Sequence, residues 1–431
     1  MTHGIVIVGG GAGGLALATR LGNTLGKSNR AHVTLVDTNL THIWKPLLHE
    51  VAVGSLNPSV DELNYVAQAK WNHFHFQYGR MSGLSREDKK IRLATSNDGT
   101  GEPISGEREI GYDTLVLAVG SQSNDFGIQG VQEHCLFLDS RVQAERLHRA
   151  LLSRYLRAHA SNDTQPLCIA VVGAGATGVE LCAELHHAVR LMQGYGMRQA
   201  CPEGLSITLI EAGPRTLPIL PERISQAVHR ELQKLGVEVL RNCAVSKVTG
   251  EGVIISGDEL IQADVRIWAA GIRAPAFLQD IDGLETNRIN QLAVQSTLQT
   301  TRDESIFAMG DCAACPIPKT EGRTVPPRAQ AAHQQAEFMA RNIALRIEGK
   351  SMREFHYKDY GTLVSLGSFS AVGTLKGNLA GSLFIEGFLA KAFYLSLYRR
   401  HQASLYGVRK VIFMMIADFL LRKVRPRLHL H

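Results

Sequence analysis

An α/β architecture follows from three features of the sequence. Two stretches run from a β-branched strand through a glycine-rich turn into a helix. Each is followed by a further strand that ends in an acid. The C-terminal segment mixes apolar runs with basic clusters. Together these predict two Rossmann-like dinucleotide-binding domains, the second inserted in the first, and an amphipathic helical tail. A length of 431 residues suits such a chain at about 150 residues per domain. Hydrophobic residues make up 45% and charged residues 20%, as in a folded globular protein.

The first forty residues read as one βαβ unit. "GIVIV" is a short strand, "GGGAGGLALATRLG" a turn and helix, and "HVTLVD" a second strand ending in Asp37. Gly9, Gly11 and Gly14 fill the G-x-G-x-x-G positions. They permit the tight turn, the approach of backbone amides to a pyrophosphate, and close helix–strand packing. The helix N-terminus then faces the phosphates. Asp37 stands where a carboxylate would accept ribose hydrogen bonds.

The same order returns in "LCIAVVGAGATGVELCAEL", with Gly173, Gly175 and Gly178, and in "LSITLIEAG", which ends in Glu211. One such turn can serve simple packing. Two, each with a strand before, a helix after and a terminal acid, point to nucleotides. Glu211 lies 33 residues after Gly178, beyond the usual ~20. The polar stretch "RLMQGYGMRQACPEG" accounts for that as an insertion. Two grips imply two dinucleotides. An acid at the end of the second strand repels a 2′-phosphate, which favours NAD over NADP, and Arg215 nearby weakens that preference.

Further stretches resemble the flavoproteins with two dinucleotide-binding domains. "YDTLVLAVGS" (Tyr112 to Ser121) and "ADVRIWAAGI" (Ala263 to Ile272) resemble their strand-plus-glycine crossovers. "TTRDESIFAMGDCA" resembles their second flavin motif, with Gly310 and Asp311. "THIWKPLLHEVAVGSL" (Thr41 to Leu56) and "VPPRAQAAHQQAE" (Val325 to Glu337) narrow the resemblance to the bacterial type II NADH:quinone oxidoreductases, single-subunit respiratory enzymes that do not pump protons. The resemblance runs from Ile5 to about His431.

It implies non-covalent FAD on the first grip, at Gly9, Gly11, Gly14, Asp37, Lys45, Gly310, Asp311, Ala329 and Gln330. It implies NADH on the second, at Gly173, Gly175, Gly178, Glu180, Glu211 and Gly271. A quinone is the implied acceptor, served by Gln330 and Gln334. Those two are four apart and share one helix face, among alanines small enough for a flat ring to approach. Lys45 would stabilise a reduced flavin. Glu180, which reads as starting a helix, would lie near the nicotinamide and the proton route; an acid favouring a helix dipole is the plain alternative. The implied domains are 1–137 and 289–380 for FAD, 138–288 for NADH, and 381–431 for the tail.

Other features carry less. Cys312 and Cys315 form a C-x-x-C that would suit an FAD- and NAD-dependent disulfide reductase, the enzymatic alternative. A nucleotide-sensing flavoprotein with little turnover is the non-catalytic one. "NHFHF" puts His73 and His75 on one strand face, without partners at metal spacing, and no metal site is expected. Seven cysteines without a framework of spacings fit a reduced protein facing the cytosol. The opening stretch "GIVIVGG" reads as a strand with no basic n-region and no cleavage site, so a secretory leader is not expected.

The tail carries the charge. From Gly381 to His431 nine Lys/Arg face two acids, a net +7 against a formal +6 for the whole chain. The body is therefore near neutral, and nucleic-acid binding is not expected. A membrane span needs about 20 apolar residues. "VIFMMIADFLL" offers eleven, with Asp418 inside. Val408, Ile412, Met415 and Phe419 recur on one helix face, bracketed by Arg409, Lys410, Arg422 and Lys423. Upstream, Phe384, Phe388, Ala392 and Leu395 form a second face with Lys391, Arg399 and Arg400. Basic amphipathic helices of this kind lie on anionic lipid. The expectation is a peripheral protein on the cytoplasmic face of the bacterial inner membrane. Packing of the same faces on the body or on a second copy, a homodimer, is the alternative.

Overall fold

A computed structural model of the chain describes residues 2–58, 62–97, 102–161, 165–195, 205–320, 322–366, 371–376, 382–421 and 428–429. In chain order, the elements that position the site begin with β1 (His3–Val8), α1 (Ala12–Leu21), β2 (Ala31–Asp37), α2 (Leu48–Val53), α3 (Tyr65–Trp71), β3 (His75–Tyr78) and β4 (Thr114–Leu117). Then come α4 (Arg141–Ser161), β5 (Leu167–Val172), α5 (Ala176–Gly194), β6 (Leu205–Ile210), β7 (Glu238–Leu240), β8 (Val265–Trp268) and β9 (Ile306–Ala308). Last are α6 (Ala329–Ile347), β10 (Gly361–Ser365), β11 (Ala371–Lys376), β12 (Ser382–Glu386), α7 (Gly387–Tyr406) and α8 (Val408–Leu421).

One compact unit comprises Met1–Trp44, Glu62–Gln122 and Ile272–Lys358. Its main sheet has the order β9-β4-β1-β2-β3, and every pairing is parallel. Ile5, Ile7, Leu35 and Leu115 are fully buried within it, as expected of strands covered on both faces. Helix α1 packs on α6. His73 lies in a turn with φ 55 before β3, so it shares no strand face with His75, which stacks on His32 instead.

The other unit comprises Lys45–Asp61, Ser123–Gly271 and Asp359–His431. Its parallel sheet runs β7-β6-β5-β8. Strands β10, β11 and β12 form an antiparallel sheet against which α7 packs.

The tail follows the sequence in part. Phe384 belongs to β12, paired with Thr374, not to a helix. The apolar run "LFIE" completes a sheet because β11 supplies a partner, and the helix starts only at Gly387. Helix α8 exposes the face read from the sequence: Val408 is 65% exposed, Ile412 51%, Met415 48% and Phe419 68%. Only Val411 of this helix is buried. Asp418 is ion-paired with Arg399 of α7 at 2.6 Å, which accounts for a carboxylate inside an apolar run. Arg422 and Lys423 lie outside the described residues, as do the side chains of Phe388 and Lys391. No helix among the described residues is long and apolar enough to cross a membrane.

Candidate functional site

The first glycine turn is held by its own strands. Gly9 has φ +103, and a Cβ there would fall 2.4 Å from the Ala118 carbonyl oxygen. A Cβ on Gly14 would fall 1.8 Å from the Gly9 oxygen, so both positions require glycine. Gly11, at the head of α1, has open space instead. Asp37 accepts the Gly10 N–H at 2.6 Å and the Asn39 N–H at 2.8 Å. Burial raises its pKa against those bonds. Tyr65, which the sequence did not single out, donates its hydroxyl to the Gly10 carbonyl at 2.7 Å. The neighbouring His42 is kept neutral, burial pushing its imidazole down to about 4.

The second turn repeats the arrangement. Gly173 has φ +102, a Cβ on Gly178 would meet the Gly173 oxygen at 2.0 Å, and Gly175 is open. Glu211 accepts the Ala174 N–H at 2.8 Å with one oxygen and the Gly213 N–H at 2.8 Å with the other. It therefore braces the loop as Asp37 does. Arg215 donates to the Pro218 carbonyl at 2.7 Å. Gly271 has φ +63 and lies against Phe126. Glu211→Gln should shift preference from NADH toward NADPH by about tenfold, because the repelling charge is removed. Paired kcat/KM values for the two nucleotides test this, and an unchanged ratio would assign the selectivity elsewhere.

The second flavin motif converges on α6. Gly310, at φ +71, donates its N–H to Gln335 at 2.7 Å. The Ser121 hydroxyl donates to Asp311 at 2.8 Å, and Gln291 donates to the Asp311 carbonyl at 2.9 Å. Ala329 and Gln330 open α6 and are half-buried. Gln334 donates to the Lys358 carbonyl at 2.8 Å and accepts the Lys358 N–H at 3.0 Å, so its amide braces that segment. Gln335, buried at 1%, is the third glutamine of the helix and was not singled out by spacing.

Glu180 stands in the second turn of α5, not at its start, and is 7% exposed. It accepts the Ser365 N–H at 3.0 Å and lies 3.8 Å from Nδ1 of His49. Glu184, one turn on, accepts from the Ser55 hydroxyl at 3.3 Å. Ligand atoms of His49, Glu50 and Glu184 fall within 4.8 Å of one another, a compact set that sequence spacing did not reveal. Burial first, and then the charges of Glu180, Glu50 and Glu184, raise the pKa of Tyr394 well above the ordinary phenol. Three carboxylates, an imidazole and a phenol thus share one largely buried region. Lys45 pairs with Asp139 at 3.3 Å.

Cys312 and Cys315 are both fully buried. Burial pushes their thiols up to about 11 and about 12, so neither offers a thiolate at neutral pH. Disulfide chemistry is not favoured here. Cys312→Ala with Cys315→Ala should leave NADH oxidation within about twofold while lowering Tm, as cavity-forming changes do. An abolished turnover in the folded protein would reinstate the pair.

Dinucleotides fit both grips: each has a braced glycine loop and open space beside a helix N-terminus. The family model of pyridine nucleotide-disulphide oxidoreductases matches residues 3–336. A type II NADH:quinone oxidoreductase of Haemophilus influenzae is 46% identical over 99% of this chain and 99% of its own. The Staphylococcus aureus protein of that name is 31% identical over 86% of this chain and 90% of its own. The solved structure of Plasmodium falciparum NDH2 in complex with NADH shares the fold, with a TM-score of 0.83 over 99% of both chains at 20% identity. The sulfide:quinone oxidoreductase of Aquifex aeolicus does so at 0.74 and 18% identity, over 99% of this chain and 96% of that one. With matches over nearly its whole length, the chain belongs to the pyridine nucleotide-disulphide oxidoreductases and, within them, to the type II NADH:quinone oxidoreductases.

Proposed function

We infer that the chain is an enzyme that oxidises NADH and reduces a membrane quinone through a bound flavin, without pumping protons. The observation that carries this reading is the pair of acid-braced glycine loops in a chain of this family. The first loop, with Gly310, Asp311, Ala329 and Gln330, is assigned to FAD, held without a covalent bond. The second, with Glu180, Glu211 and Gly271, is assigned to NADH. The functional domains keep the ranges 1–137 and 289–380 for FAD, 138–288 for NADH and 381–431 for the membrane. The net reaction is NADH + H⁺ + quinone → NAD⁺ + quinol.

The flavin, when bound, supplies the chemistry: it accepts a hydride and returns two electrons. The protein orients and balances charge. Main-chain N–H groups at the heads of α1 and α5 hold the two pyrophosphates. Lys45 offsets negative charge on the reduced ring. Gln330 presents an amide to the quinone, and Gln334 fixes the Lys358 segment beside it. Glu180, within its largely buried cluster, is assigned a place near the nicotinamide and on the proton route to the quinone. Gln330→Ala should slow quinone reduction about tenfold or more while NADH still bleaches the flavin at the original rate. Stopped flow separates the two steps, and a slowed bleaching with unchanged recolouring would overturn the acceptor role.

The exposed face of α8 is assigned to the lipid surface. The protein then lies on the cytoplasmic side of the bacterial inner membrane, with the acyl boundary supplying quinone.

A further inference from the structure

We propose, on the assignment of FAD to the first glycine loop, that Tyr65 is a positioning residue for the pyrophosphate of that cofactor and acts through a single peptide plane of the loop. Tyr65, its neighbours and the loop all belong to the compact unit that begins at Met1.

The side chain is held firmly. Tyr65 opens α3 and is 2% exposed. Its N–H donates to the Leu40 carbonyl at 3.0 Å, and its ring stacks on Phe76 of β3 with centroids 5.2 Å apart. Backbone and ring are thus both fixed, and the hydroxyl donates to the Gly10 carbonyl at 2.7 Å. The approach is close: a Cβ on Gly10 would fall 2.5 Å from Cζ and Oη of Tyr65. Burial, and then the charge of Asp37, raise the phenol pKa well above its ordinary value, so the hydroxyl keeps its proton and remains a donor.

Gly10 is held through both of its backbone groups. Its N–H donates to Asp37 at 2.6 Å. The buried, neutral His42 also hydrogen-bonds the Gly10 backbone. With the N–H given to Asp37, the carbonyl is the acceptor for His42, and its second lone pair serves Tyr65. A trans peptide is planar, and its C=O and N–H point in opposite directions. The Gly10 carbonyl shares its plane with the Gly11 N–H. Drawing the carbonyl toward Tyr65 therefore turns the Gly11 N–H away from it, at the head of α1. A Cβ on Gly11 would meet nothing within 4 Å, which leaves room for a phosphate there. The same hydrogen bond polarises the peptide and strengthens that N–H as a donor. A hydroxyl aimed at the backbone thereby sets one contact of the cofactor.

The second loop holds the corresponding plane by other means. Ala174 stands where Gly10 does, between the first two glycines, and its carbonyl accepts the Leu217 N–H at 2.8 Å. Both loops thus fix this carbonyl, the second through backbone and the first through a side chain that can be changed.

The test uses the full-length, flavin-loaded protein. Tyr65→Phe keeps the ring and removes the hydroxyl. Phe76→Leu disturbs the packing of the ring and keeps the hydroxyl. FAD release on dilution is followed by flavin fluorescence, and the bound pyrophosphate by phosphorus NMR. Tyr65→Phe should release FAD at least about fivefold faster and move a pyrophosphate resonance toward its position in free FAD, with KM for NADH unchanged. Phe76→Leu should lower Tm while leaving release and both resonances as in wild type. A Tyr65→Phe protein with wild-type release and resonances would overturn the proposal. So would a Phe76→Leu protein that matched Tyr65→Phe in both, because ring packing alone would then account for them. Wild-type protein that holds no FAD would instead overturn the assignment of the loop itself.

Discussion

Replacing Gly178 by valine will stop NADH from reducing the flavin while leaving the flavin bound. A Cβ at that position would fall 2.0 Å from the carbonyl oxygen of Gly173. The obstacle is backbone, not the end of a flexible side chain, so the loop itself must move. Gly173 donates its N–H to Ile210, and Ala174 donates to Glu211, so movement breaks both braces and misdirects the amides meant for the pyrophosphate. Hydrogen bonds to a charged group are worth about 1.5–3 kcal/mol each. Losing two weakens NADH binding by roughly a hundredfold or more. The companion change, Gly14→Val, strikes the Gly9 oxygen at 1.8 Å and should yield protein without flavin. The ratio of flavin to protein absorbance and the anaerobic bleaching rate read the two effects. Flavin loss in the Gly178 variant equal to that in the Gly14 variant would mean that the grips are not separate.

Substituting Phe413, Ile416 and Phe419 together by glutamate should release the protein from anionic vesicles. These side chains are 74%, 52% and 68% exposed, so the folded chain loses little by the change. Full burial of one such side chain contributes about 1.5–3 kcal/mol, and partial insertion of three gives about half the sum. Membrane partition should therefore fall by about a hundredfold or more. Turnover with a water-soluble quinone should persist, and turnover with quinone embedded in vesicles should collapse. Deleting 381–431 would be a blunter test, because Tyr394, His401, Gln402 and Leu405 are buried and β12 completes a sheet. Full activity on embedded quinone would sink the docking role of α8. A triple variant that turned from dimer to monomer in solution while still binding vesicles would assign the face to a second copy.

The parts of the fold legible in the sequence are those fixed by neighbours in the chain. Strand, glycine turn and helix at Gly9–Gly14 and Gly173–Gly178 depend on residues within one βαβ unit, so periodicity and turn chemistry suffice. The phase of α6 was harder. Spacing puts Gln330 and Gln334 on one helix face and the resemblance singles them out, but Gln335 meets Gly310 only because tertiary packing sets the rotation of the helix. The cluster of His49, Glu50, Glu180, Glu184 and Tyr394 joins three distant segments, and no local pattern announces it. Phe384 was read as helical because its spacing fits a helix face; the pairing of β12 with β11 overrides that preference. Asp418 looked like a flaw in an apolar run until Arg399 supplied its partner from the preceding helix.

An anaerobic double-mixing experiment on the flavin-loaded wild-type protein tests the central claim most directly. NADH is added first, then a soluble quinone, with flavin absorbance followed throughout. Electron transfer from NADH to quinone through one chain predicts full bleaching by a stoichiometric amount of NADH, then full recovery on quinone addition, with quinol formed in equal amount. Flavin that NADH leaves oxidised, or that stays reduced after quinone is added, would contradict it.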